Sequence, residues 1–240
     1  MGVRDQLSPD TWRVFGVIDR AREALGESGH SHQVAESAGR MLTGILSLQG
    51  VTASMIRDPG WHMIGAGRAL ERATQLCHLL RATTTVRHGI DVDREVLNAV
   101  LAASESAVTH RRRYRGYVRP AGVLDLLLMD PDNPRSLAFC LAEAATHLGA
   151  MPASTGSARP ERLLDGLRGQ LDGTEVRELV AIGGVGRPNL ETFLDAVLGQ
   201  LARLTDAVAE LHFASGPTPR TFGSALLAGP AAAPVQVPAP

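Results

Sequence analysis

The last apolar stretch of the chain constrains its fold most. Leu190, Leu194, Val197, Leu201, Leu204, Val208 and Leu211 recur at alternating intervals of four and three residues across three heptads. That spacing gathers the side chains on one face of an α-helix but scatters them over both faces of a strand, so only a helix can bury them together. An apolar helix face needs partner helices. The chain offers several, so the seam reads as the inside of an intramolecular bundle, with a homodimeric coiled coil as the alternative.

Helix starts recur upstream. Ser8-Pro9-Asp10, Asp58-Pro59 and Asn133-Pro134 each place a capping side chain before a proline at the first helical position. Helices are predicted at about 9 to 25, 32 to 55, 59 to 87, 92 to 114, 120 to 129, 134 to 148, 160 to 170 and 188 to 213, and no convincing strand remains. With only five Phe, two Tyr and two Trp in 240 residues, the core must be built from Leu, Val and Ala, which suits helix packing. The expected fold is all-α: an antiparallel bundle of about eight helices. After Ser215 the composition turns to Pro, Gly and Ala, so residues 215–240 are expected to form a disordered tail.

Charge excludes several functions. The 24 basic residues are all Arg, against 25 acidic ones, and a net charge of −1 offers no overall field for nucleic acid or anionic membrane. Without lysine there is no phosphate-loop lysine, no Schiff-base lysine of a pyridoxal enzyme and no kinase strand lysine. Cys77 and Cys140 lie in apolar helical sequence without a CxxC partner and are expected to be buried free thiols. The eight His form no HExxH or paired ExxH pattern, so no metal site and no cofactor are expected. No charged and apolar leader and no apolar run of ~18 residues is present, and the expected location is the cytoplasm.

The helix at 59 to 87 carries the strongest site signal. Met63, Ala66, Leu70, Ala73, Cys77 and Leu80 make one apolar seam, while the opposite side carries Trp61, Ile64 and Leu79 together with Arg68, Arg72 and Gln75. The helix is thus expected to be buried on both sides. Arg68 and Arg72 point the same way, with Glu71 on the flank between the faces. Like charges at i and i+4 repel, so something acidic should face them: a carboxylate such as Asp130 or Glu105, giving an ion-pair network, or an anionic ligand.

Three further motifs need weighing. In Asp130-Pro131-Asp132-Asn133-Pro134-Arg135-Ser136, a loop is expected to feed a helix with Arg135 in its first turn, where a cation opposes the dipole, which hints at anion binding; an ordinary capped turn is the alternative. The run Thr109-His110-Arg111-Arg112-Arg113-Tyr114-Arg115 could touch phosphate, but is more simply a solvated helix end. Gly183-Gly184-Val185-Gly186 lacks the following Lys of a phosphate loop and reads as a turn between helices.

These segments carry a family resemblance. Met55-Ile56-Arg57-Asp58-Pro59-Gly60-Trp61 followed by Gly67-Arg68-x-x-Glu71-Arg72-Ala73 resembles the bacterial alpha-E family, named for a helical domain with a Glu-Arg motif. Arg111-x-Arg113-Tyr114, the stretch from Leu126 to Asp130 with Asn133-Pro134-Arg135-Ser136-Leu137, and Leu204-Thr205-Asp206 with His212-Phe213 fit the same family in the same order. His110 and His212 stand where tyrosines are expected. The family's opening helices, with an earlier Glu-Arg motif, have no counterpart ahead of Val3-Arg4-Asp5-Gln6-Leu7-Ser8, so residues 1–214 are expected to be an N-terminally shortened domain that self-associates through an unpaired apolar face.

The resemblance implies a function by association with circularly permuted ATP-grasp ligases and transglutaminase-like proteins. The expected role is an accessory helical domain that binds such an amide or peptide ligase, or its anionic peptide-like product, through Arg68, Glu71, Arg72, Asp130, Asn133 and Arg135. Two alternatives stay open. One is an enzyme acting on an amide or amine with Glu71 or Asp130 as general base, weakened because Ser136 has no visible His partner. The other is a purely structural scaffold.

Overall fold

A computed structural model of the chain describes residues 7–152 and 158–213, so the segment 3–6 and the tail expected at 215–240 lie outside the described residues. The order is α1 (Pro9–Gly26), α2 (Ser31–Ala53), α3 (Pro59–Thr83), α4 (Ile90–Ala103), α5 (Ala107–Arg113), α6 (Pro120–Leu124), a π turn (Asp125–Met129), α7 (Leu137–Gly149), α8 (Arg159–Asp172), α9 (Val176–Leu179) and α10 (Pro188–Phe213). Among the described residues there is no strand, only isolated bridges such as Val86 to Gly186.

Local chemistry explains the boundaries. The Thr11 amide donates to the Ser8 hydroxyl at 3.3 Å and the Trp61 amide to Asp58 Oδ1 at 2.9 Å, with Pro at the start of both helices. Asn133, by contrast, does not cap a helix at 134. Ser136 caps α7 by accepting from the Phe139 amide at 3.0 Å, so Arg135 precedes the cap and is not in the first turn. The continuous helix expected at 92 to 114 is two helices. Ser106 Oγ donates to the Ser104 carbonyl at 2.9 Å, and Glu105 adopts φ +49°, which no α-helix accommodates.

α3 is the axis of the bundle. It packs antiparallel to α7, with His62 near His147 and Arg72 near Cys140, and antiparallel to α10, with Arg81 pairing Glu191 and Asp195. Its seam Ala66, Leu70, Ala73, Cys77 and Leu80 is buried. The 190 to 208 seam faces the same core, so it is intramolecular as expected. Leu126, Leu127 and Leu128 are fully buried in the π turn, while Asp125 at its start stays exposed. The two cysteines are free and buried, and burial pushes the Cys77 thiol up to about 12.

α1 and α2 form a separate antiparallel hairpin that supplies no residue to this core. They meet through Gly44, where a Cβ would stand 2.7 Å from Ile18, and through Ala21 and Ser37. Leu42 and Leu46 remain more than half exposed, with Val34 and Ile45 also on the surface. The C-terminal end of α2 touches the bundle where the Trp61 indole donates to the Thr52 carbonyl at 3.0 Å.

Candidate functional site

The site builds outward from the face of α3 opposite its seam. That face is not buried as the sequence led us to expect: Arg68 and Gln75 are exposed, while Arg72, Trp61, Ile64 and Leu79 are half-buried. The end of α2 and the start of α7 rise on either side and leave two adjoining hollows of about 230 and 210 Å³, which share Gln49, Gly65 and Arg68. One extends over Arg72, Pro134, Phe139, Cys140 and Glu143; the other runs to Trp61 and Arg57. The Arg57 guanidinium lies 4.1 Å from the Trp61 ring centre and donates to the Met55 carbonyl at 3.0 Å.

Neither carboxylate expected to neutralise Arg68 and Arg72 does so. Asp130 is buried and pairs with Arg113, while Glu105 pairs with Arg135. Among the described residues, no ion pair reaches Arg68 or Arg72. Burial lowers the Arg72 pKa, Arg135 and Arg68 lower it further, and Cys140 and Glu105 oppose them more weakly. The positive groups thus act on one another in a partly desolvated cleft. In the same cleft burial raises the Cys140 thiol, and Arg72 and Arg135 partly offset it.

Asp130 and Asn133 shape this wall rather than line it. Asp130 Oδ1 accepts from the Asp132 amide at 2.9 Å, and its carbonyl accepts from the Ser136 hydroxyl. Asn133 Nδ2 donates to the Leu126 carbonyl at 3.0 Å, and its Oδ1 accepts from the Arg135 amide at 3.2 Å. The motif therefore folds into a fixed turn that presents Pro134 and Arg135 beside Arg72. Ser136 and Asp130 are both occupied by this turn, which leaves neither poised as nucleophile or base. Glu71 accepts from Gln75 at 2.8 Å and lines a groove between α3 and α10, away from Arg68 and Arg72. The basic run is only partly solvated, since His110 is buried against Tyr114 and Arg113 holds Asp130.

A histidine pair beside the cleft gave no sequence signal. His62 and His147 bring their Nδ1 atoms to 3.2 Å across 85 residues of chain, beside Trp61. Gly65 permits this, because a Cβ there would meet the His147 ring at 2.3 Å. Burial lowers the His147 pKa, aided by His62 and Arg68 and opposed by Glu143. Among the described residues no group of three or more His, Cys, Asp or Glu could hold a metal ion. No described helix is long and apolar enough to cross a membrane.

The model of the Alpha-E family, described as "a predicted alpha-helical domain with a conserved ER motif", matches residues 1–213. Uncharacterized proteins of Mycobacterium bovis and of two strains of Mycobacterium tuberculosis are each 36% identical over 220 residues. The match covers 88% of this chain and 25% of each relative, so the chain spans about a quarter of their length. No solved structure matches.

Proposed function

The chain belongs to the Alpha-E family, and we propose that it is an accessory helical domain that binds a carboxylate-bearing, peptide-like ligand in the Arg68–Arg72 cleft while working beside an ATP-grasp amide or peptide ligase. The observation that carries this reading is that, among the described residues, Arg68 and Arg72 line a cleft without an ion pair, while Asp130 and Glu105 are engaged elsewhere and only Glu143 brings a carboxylate to the same hollow. Guanidinium groups bind carboxylates through paired, charge-assisted hydrogen bonds, and partial desolvation strengthens them. Gln49 adds an amide that can donate and accept, and Trp61 with Phe139 adds flat apolar surface for a peptide stem. Arg135, held by the 130–136 turn, extends the positive wall.

The ligase partnership rests on the resemblance. In the relatives the matched segment is about a quarter of a longer chain. The exposed apolar side of the α1–α2 hairpin is the surface assigned to that partner, or to a second copy of this chain. Titrating the purified chain with triglutamate and with citrate, at low and high salt, tests ligand binding. Saturable binding should raise stability by about 2.7 kcal/mol at a hundredfold excess over Kd and weaken with salt. A flat response to both compounds identifies a scaffold instead.

A further inference from the structure

A second cationic pocket lies beyond the far end of α3. There the chain leaving the helix passes the tight turn Gly183–Gly186, whose ends exchange backbone hydrogen bonds at 3.0 and 3.2 Å. Gly184 sits at φ +59°, and a Cβ on Gly186 would stand 2.4 Å from the Thr85 carbonyl oxygen, so both positions require glycine. This close approach fixes Arg187, whose amide donates to Thr85 at 2.7 Å. The Arg187 guanidinium donates to the Thr84 carbonyl at 2.7 Å and to Asp93 at 3.2 Å, and the residue is only 6% exposed.

Arg187 lines a hollow of about 520 Å³, within the range of small-molecule sites. Its buried Nε finds no hydrogen-bond partner among the described residues. A buried charged donor left unmet is costly, and a bound anion would offset that cost through its charge. Arg87, Arg94 and Arg119 also line this hollow, so four arginines share it with one lining carboxylate, Asp93, which pairs with Arg187. Asp91 pairs with Arg94 at 3.4 Å, but its side chain is 91% exposed and screens little. At the lip Tyr117 is 78% exposed, with the Arg94 guanidinium 5.7 Å from its ring centre.

We propose that this pocket binds an organic polyanion in which phosphate or carboxylate groups are attached to a planar ring. The oxyanions sit among Arg87, Arg119 and Arg187. The ring packs on Tyr117 beside the Arg94 guanidinium, against the apolar side of the pocket lined by Leu97 and Val118. This site is separate from the cleft, which lies on the N-terminal half of α3, and does not depend on the function proposed for it.

Calorimetric titration tests it on the full chain carrying Arg72→Leu, so that the cleft does not contribute. Four probes separate ring from charge and phosphate from carboxylate: adenosine triphosphate, inorganic triphosphate, benzene-1,2,4-tricarboxylate and citrate. At least one ring compound should bind about tenfold more tightly than its ringless counterpart. Tyr117→Ala should erase that preference, and Arg87→Ala with Arg119→Ala should weaken all binding by about tenfold or more. All three side chains are exposed, so melting temperatures without ligand should not move. The proposal is overturned if no probe binds at millimolar concentration, if ringed and ringless compounds bind equally, or if binding survives the Arg87 and Arg119 changes. Which ring compound wins identifies phosphate or carboxylate as the recognised group.

Discussion

Gly65 and His147 form the tightest mutual dependence in the cleft, because the imidazole occupies the space that any other side chain at 65 would fill. Gly65→Ala should therefore destabilise the fold by ~1–3 kcal/mol in denaturant unfolding, the range for forcing an atom into packed surroundings. The cost should shrink when His147 is also Ala; strictly additive costs would show that the two do not compete for space. His147 also sets a pH response. Burial holds its folded pKa below the ordinary 6.5, so the unfolded chain takes up the proton more readily. Its contribution to stability is therefore complete above that pH and is lost as pH falls through the folded pKa. His147→Gln should flatten the acid side of a melting-temperature profile, and a parent that gains stability on acidification would contradict this. The sequence marks Arg68 and Arg72 clearly, since their shared helix face follows from spacing alone. It gives no hint of the His62–His147 pair, because contact across 85 residues depends on how α3 and α7 cross.

Elements show the same division between local and distant causes. The starts of α1 and α3 are legible because Ser8, Asp58 and their prolines act within one turn. The start of α7 is misread because Asn133 can cap a helix or brace a turn, and the choice is made by its bonds to Leu126 and Ser106 from elsewhere in the fold. The break between α4 and α5 hides behind an unbroken helical pattern, with only Ser104 and Ser106 to suggest it. That break has a consequence for the cleft, because it places Glu105 on Arg135. Glu105→Gln keeps the chain length and removes the charge, so Arg135 is left unneutralised beside Arg72. Triglutamate should then bind about twofold to fivefold more tightly, the equivalent of an exposed ion pair released to the ligand. Unchanged or weaker binding would remove Arg135 from the site.

At the scale of the whole molecule, the bundle and the α1–α2 hairpin differ in how they are held. The hairpin contributes nothing to the main core and is anchored mainly near Thr52 and Trp61, so it should open independently. Hydrogen exchange should show weaker protection in α1 and α2 than in α3, α7 and α10, and uniform protection would contradict that division. Gel filtration with light scattering should reveal association through the exposed Leu42 and Leu46 face, abolished by Leu42→Gln with Leu46→Gln; a parent monomeric at all concentrations assigns that face to another protein or to none. The central claim, however, is that Arg72 faces a ligand and not a structural partner. Its most direct test is the melting temperature of Arg72→Leu, with and without triglutamate. With no ion pair to break, the substitution should change stability by less than ~1 kcal/mol, yet remove the ligand-induced rise expected of the parent. A loss of ~3–5 kcal/mol, the cost of stranding a buried charge, in a chain whose parent never responds to triglutamate, would contradict it.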